Sequence, residues 1–306
     1  MLSYSNIRPC LNTEYSERGL KIMRKLLFMV ILLLNFNAQA EDRLMFGINP
    51  GAYGQEDQWV LKDAFQPLAE YVGKAAGTKV YTDITQNFKA TDEHANTGQY
   101  DLVMANTKLI GQVNQGLGYF PVAKFKDLHA VLLVKAESPY KTIASLKGSR
   151  IGIMSRKKLM GPLAVDFLKK HGFVMSRDFR QVQEIQYQDT LISLMLEGAV
   201  DGVFVAPKIA DDAMKAHPGK LRILAKTDPI PGFAIALSRK MPQAQANKIT
   251  EALLTINQSA SGKAALAAVV GQAAGNTALT KTSSEEYSKA MVLLDAAEKL
   301  YPPLTK

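Results

Sequence analysis

The run Ser155-Arg156-Lys157-Lys158 stands directly ahead of a stretch with helical apolar spacing that begins near Leu159. One hydroxyl and three cations at a helix start suit an anion. Free backbone N–H groups and the positive end of the helix dipole attract it, and the side chains add charge-assisted hydrogen bonds. The same residues also describe a solvated basic loop, and spacing alone leaves both readings open. Asn106 and Thr107 close an apolar run, either as ligand-facing polar groups or as the cap of the next helix. Gln188 and Asp189 begin another helical stretch, opposite the basic loop, where Asp189 also fits an N-cap. Tyr53 and Phe88 are candidates for an aromatic wall and equally for core.

Other chemistry finds little support. The four histidines, His94, His129, His171 and His217, are far apart, and none stands at metal-ligand spacing with another. The chain has no G-x-S-x-G, no P-loop and no H-E-x-x-H. Its only cysteine is Cys10. The sequence therefore predicts no enzyme, metal or cofactor. With 37 Lys and Arg against 28 Asp and Glu the net charge is +9, a mild preference for anionic small ligands. No basic run interleaved with aromatics argues for nucleic acid.

The elements that must position these residues follow from periodicity. Strands are expected at 43–48, 78–84, 100–105, 129–135, 149–154, 181–187, 200–205, 221–225 and 233–237. Most alternate with helices, the pattern of an α/β fold with parallel neighbours. In such sheets, ligands bind at the carboxyl ends of the strands. Leu61, Phe65, Leu68 and Val72 mark a helix from Asp57 as N-cap to Gly77, which Pro67 should kink or split. Breaks at Ser138-Pro139 and at residues 227–232 flank a middle α/β unit, and from Pro242 on the chain is helical. A chain that leaves one lobe, builds another and returns makes a hinge with a cleft. At the N-terminus, Arg24-Lys25, the apolar run Leu26–Leu34 and Ala38-Gln39-Ala40 read as a secretory signal peptide cleaved after Ala40, with Met23 as its natural start. Residues 1–40 are accordingly set apart as extension and signal.

Four segments carry a resemblance: FQPLAEYVGKAAGTKVYTDI, GQYDLVMANTKLI, SPYKTIASLKGSRIGI with DTLISLMLEGAVDGVFV, and DPIPGFAIALSRKMP with SASGKAALAAV. In this order and spacing they resemble the phosphonate-type (phosphate, phosphite, phosphonate) periplasmic substrate-binding proteins of ABC transporters. The likeness covers nearly all of residues 43–275. It implies a type II two-lobe periplasmic binding fold with a two-strand hinge, lobe 1 being residues 41–135 with 233–306 and lobe 2 residues 136–232. It also implies a monomer that captures a small anionic ligand in the periplasm for an ABC permease in the inner membrane. A sensor or accessory module of the same fold, signalling to a sensor kinase, is the alternative. The departures bear on specificity. Where the family commonly has a hydroxyl-rich Ser-Thr-Ser-Gly loop, this chain has Lys158-Leu159-Met160-Gly161, and Gln188 stands where a histidine is common. Ligand tyrosines are replaced near Leu109 and at Phe88.

Overall fold

The computed structural model describes residues 43–51, 57–85, 87–116, 118–270 and 274–301, the side chain of Gln58 excepted. The expected signal segment and Tyr53 lie outside them. Among the described residues no helix is long and apolar enough to cross a membrane.

The chain opens with β1 (Arg43–Ile48), α1 (Gln58–Ala76), β2 (Lys79–Ile84), α2 (Phe88–Asn96), β3 (Leu102–Ala105), α3 (Thr107–Gly116) and β4 (Tyr119–Lys124). It continues through β5 (Val131–Lys135), β6 (Arg150–Met154), α4 (Met160–Lys170), α5 (Met175–Asp178), β7 (Gln181–Ile185), α6 (Gln188–Glu197), β8 (Gly202–Val205), α7 (Pro207–Ala216) and β9 (Leu221–Lys226). It returns as β10 (Ala234–Ser238), α8 (Gln243–Leu254), α9 (Ala260–Ala268), β11 (Thr280–Lys281) and α10 (Ser284–Glu298).

Local chemistry explains these elements. Helix α1 buries Leu61, Phe65, Leu68 and Val72 along one stripe and ends at Gly77, whose φ of 71° is the left-handed cap glycine adopts without strain. Pro67 neither splits it nor ends it. Burial of the stripe against the sheet outweighs the missing N–H donor, a loss of about 3 kcal/mol in an unsupported helix. Asp57 occupies the N-cap position, but its side chain makes no capping bond.

The strands form two sheets, one in the order β11-β4-β10-β3-β1-β2 and one in the order β7-β6-β8-β5-β9. In the first, β1 is parallel to β2 and β3, and β10 is antiparallel to β3 and β4. In the second, β6 is parallel to β7 and β8, and β5 is antiparallel to β8 and β9. The two sheets repeat one plan: three parallel strands, then an antiparallel strand supplied by a crossing, then one more strand, to which the first sheet adds the short edge strand β11.

Two expectations are corrected and one strand is added. Strand β5, expected with the first lobe, pairs with β8 and β9 in the second sheet, so the first crossing lies at residues 125–130 and not at Ser138-Pro139. An apolar run such as VLLVK fits either core, and only its partners decide. Strand β4 is the addition, and Pro121 stands within it. The register shift between Ile235 and Ala236 falls beside the pairing of Ala236 with Pro121, which supplies no N–H to the ladder. Finally, α10 does not belong to the first lobe alone. Its Tyr287 lies in a first-lobe core, whereas Ala290, Leu294 and Ala297 lie in a second-lobe core.

The crossings pair with each other. Phe125 N–H donates to Phe233 O at 2.8 Å, Leu128 and Ile230 exchange two bonds at 2.8 Å, and Thr227 N–H donates to Ala130 O at 2.9 Å. Residues 125–130 and 227–233 are thus a two-stranded connector. A Cβ on Gly232 would collide with the carbonyl oxygen of Lys126 on the opposite crossing. Gly232→Ala should therefore destabilise the protein by about 1–3 kcal/mol, the range of overpacking substitutions, measured from the urea midpoint. An unchanged midpoint would contradict this packing.

Candidate ligand-binding cleft

Strand β4 runs parallel to β1 and β3, because both it and β3 are antiparallel to β10. It therefore delivers the chain into the crossing from the sheet edge where β1, β2 and β3 end. Strand β5 is antiparallel to β8, so the crossing enters the second sheet where β6, β7 and β8 end. The carboxyl ends of these six strands consequently face the junction from both lobes, where ligands of α/β sheets bind. The loops that follow them hold most of the sequence candidates.

On the first lobe, Asn49 ends its strand fully buried, donating to Thr91 Oγ1 at 3.0 Å and accepting from Gly51 N–H at 3.1 Å. Asn87 caps α2 by accepting from Lys89 and Ala90 N–H, which leaves Phe88 at the helix start, 39% exposed. Asn106 Oδ1 accepts from Leu109 N–H at 3.1 Å and caps α3. Thr107 is buried and donates its hydroxyl to Pro231 O of the return crossing at 2.6 Å. Leu109, where a family tyrosine is replaced, is buried in the core.

On the second lobe, the four residues of the basic loop have different surroundings. Ser155 is buried. Arg156 is turned onto Glu184 of β7: its backbone N–H donates to Oε1 at 2.9 Å, and Nη2 donates to Oε2 at 2.9 Å. The guanidinium also lies 4.7 Å over the ring of Tyr301, a cation–π contact. Burial pushes the Glu184 carboxyl pKa up, but hydrogen bonds from Arg156 and Ser155 outweigh it and hold the pKa below the usual carboxylate range. Lys157 and Lys158 are exposed, and among the described residues no carboxylate pairs with them. An open hollow of about 470 Å³ beside Arg156 is lined also by Asp295, Glu298 and Lys299, a balanced charge that offers an anion no net attraction. Gln188 Oε1 accepts from Ala206 N–H at 2.6 Å, tying the loop after β8 to α6 and leaving its amide N–H₂ for another acceptor. Asp189 is exposed in the first turn of α6, with Tyr187 and not Asp189 at the N-cap. It complements the helix dipole there.

The structure adds two residues that the sequence reading passed over. Trp59, the second residue of α1, is 75% exposed, and Tyr187 is 74% exposed. With Phe88 they stand at the starts of helices that follow β1, β7 and β2. A lone tryptophan just after a glycine-rich connection was the available signal.

The family model for the ABC transporter, phosphonate, periplasmic substrate-binding protein matches residues 51–287. The chain belongs to that family. It is therefore a solute-binding protein of the ABC-transporter type, and the two sheets and their paired crossings are the type II periplasmic binding fold. Among solved structures, it is similar to XAC2383 from Xanthomonas citri bound to ATP, with TM-score 0.64, 14% identity, and coverage of 85% of this chain and 99% of that one. It is also similar to PhnD1 from Prochlorococcus marinus in complex with methylphosphonate, with TM-score 0.60, 18% identity, and coverage of 85% and 99%. A TctC solute-binding protein from Polaromonas gives TM-score 0.63, 16% identity, and coverage of 86% and 99%. At these identities the likeness establishes the shared fold. A comparison with curated protein sequences returns no match.

The Arg156–Glu184 pair sets a pH dependence. Because the folded pKa of Glu184 is depressed, its stabilisation is fully present above the unfolded value of about 4.3 and is lost as pH falls through the folded value. Glu184→Gln should be less stable than the parent at pH 7, and the gap should narrow on acidification below about pH 4. Urea denaturation at several pH values checks this, and a pH-independent gap would contradict it.

Proposed function

We propose that the protein captures a small anionic solute, of phosphate or phosphonate type, in the cleft between the lobes. The observation that carries this reading is the division of charge in the loop after β6. Arg156 is neutralised by Glu184, whereas the exposed cations of Lys157 and Lys158 stand ahead of α4. Gln188 and Asn106 add amide groups from opposite lobes, and Phe88, Trp59 and Tyr187 supply aromatic surface at the rim. Tyr53 belongs to the same proposed set on its sequence position. Ser155 and Thr107 act mainly on local structure, through the bonds described above, and Asp189 through the dipole of α6.

Capture needs no chemistry. A ligand that touches both lobes binds the closed arrangement better than the open one and shifts the population towards it. The closed form is then presented to the permease by a monomer secreted to the periplasm, with the signal removed after Ala40. Replacement of the hydroxyl-rich loop by Lys158-Leu159-Met160 favours a changed specificity. It is also the observation behind the second reading, in which the partner is a membrane sensor kinase. Co-purification of the kinase with membrane-embedded bait, and not of a permease, would select that reading.

Trp59 is the only tryptophan and provides a built-in reporter. Phosphate, phosphite, methylphosphonate and small carboxylates, titrated separately, should include at least one that changes Trp59 emission saturably and raises the melting temperature. Lys157→Ala combined with Lys158→Ala should weaken that anion about tenfold or more, since hydrogen bonds to charged groups contribute about 1.5–3 kcal/mol. No response to any anion would overturn the anion assignment.

A further inference from the structure

Helix α10 packs against both lobes along its length. Tyr287, Ala290, Met291, Leu294 and Ala297 are buried along one stripe at helical spacing, which Tyr301 extends past the helix end. Tyr287 sits in a first-lobe core with Leu109, Ile110 and Val113, and donates its hydroxyl to Gly232 O of the return crossing at 2.8 Å. Met291 packs so closely on Gly111 of α3 that a side chain there would collide with it. Polar contacts fasten the same helix to the first lobe: Asn114 Nδ2 donates to Ser284 O at 3.1 Å, Lys124 pairs with Glu286 at 2.8 Å, and Lys108 with Glu298 at 3.5 Å.

The second-lobe contacts are as extensive. Ala290, Leu294, Ala297 and Tyr301 share an apolar cluster with Leu163 and Phe167 of α4. Tyr301 donates its hydroxyl to Met154 O at 3.1 Å, at the last residue of β6, and fills the space a side chain would need at Gly161. Its ring carries the Arg156 guanidinium at 4.7 Å. Tyr301 therefore grips the loop after β6 at Met154, Arg156 and Gly161.

Packed interfaces move between discrete arrangements and do not stretch. If the lobes rotate about residues 125–130 and 227–233, α10 cannot keep both sets of contacts unchanged. We propose that α10 is a third connection between the lobes, and that Tyr301 is the positioning residue through which the first lobe holds the loop at residues 155–161. The assignment of that loop to the ligand rests on the function proposed above; the mechanical coupling does not. Loop conformation and lobe orientation then change together, because one helix carries both.

The test needs no ligand, so a failure of the anion assignment leaves it intact. The full chain with Cys10→Ser would carry spin labels at Lys89→Cys on α2 and Lys215→Cys on α7, both exposed. Pulsed double electron resonance reads the inter-lobe distance, and amide hydrogen exchange reads residues 155–161. Tyr301→Ala should shift or broaden the distance distribution and speed exchange of the loop about tenfold or more. Tyr301→Phe, which keeps the ring under Arg156, should restore most of the parent behaviour. Met291→Ala removes a contact with the first lobe, yet it should also speed exchange at residues 155–161. A purely local role would lower the melting temperature and leave distances and loop exchange at parent values, which would overturn the proposal. If Tyr301→Ala does not fold, Met291→Ala decides, and unchanged loop exchange in that variant is the overturning result.

Discussion

The two crossings hydrogen-bond to each other, and the rest of the structure depends on that ladder. Leu128 and Ile230 exchange backbone bonds, with Phe125–Phe233 and Ala130–Thr227 on either side. A polar backbone leaving one core for another must find partners on the way, and here each crossing is the other's partner. The ladder fixes which ends of the two sheets meet. Because β4 leaves, and β5 enters, at the edges where the parallel strands finish, the ends of six strands converge on one junction. Side chains from Thr107 and Tyr287 reinforce it by donating to Pro231 O and Gly232 O.

Within the junction, charge is divided between a paired cation and two exposed ones. Arg156, Glu184 and Tyr301 form a clasp in which a carboxylate neutralises the guanidinium and a ring supports it. The half-buried pair is held by two-pronged geometry, the condition under which an ion pair survives its desolvation. Lys157 and Lys158, one and two residues later, face solvent. The basic run is thus divided: one cation organises the loop, and the next two are the ones that the proposed function assigns to an anion.

Much of the fold was legible in the sequence because it rests on local pattern. The stripe of α1, the glycine that ends it and the alternation of strands and helices all appear as spacing. Partnership did not. Nothing in VLLVK tells which sheet β5 joins, and the proline within β4 weakens its strand pattern. Of the candidate site, the basic run was visible in the sequence and its internal division was not, since Glu184 lies 28 residues from Arg156 on a neighbouring strand. The repeat of Tyr287, Met291 and Leu294 announced a helix, but its passage from one core to the other depends on two lobes folded far apart in the chain. Asp57 and Asp189 were residues of the right type near the right place, yet neither side chain makes a helix-capping bond.

Retention of a captured solute is the most direct measure of the central claim. Native mass spectrometry of the full chain, purified without an unfolding step from cells grown with several phosphorus sources, reads occupancy without prior choice of ligand. One small anionic molecule per folded chain is expected in at least one preparation, released when the chain unfolds. A ligand-free mass in every preparation, with no adduct after incubation in a periplasmic extract, would contradict it.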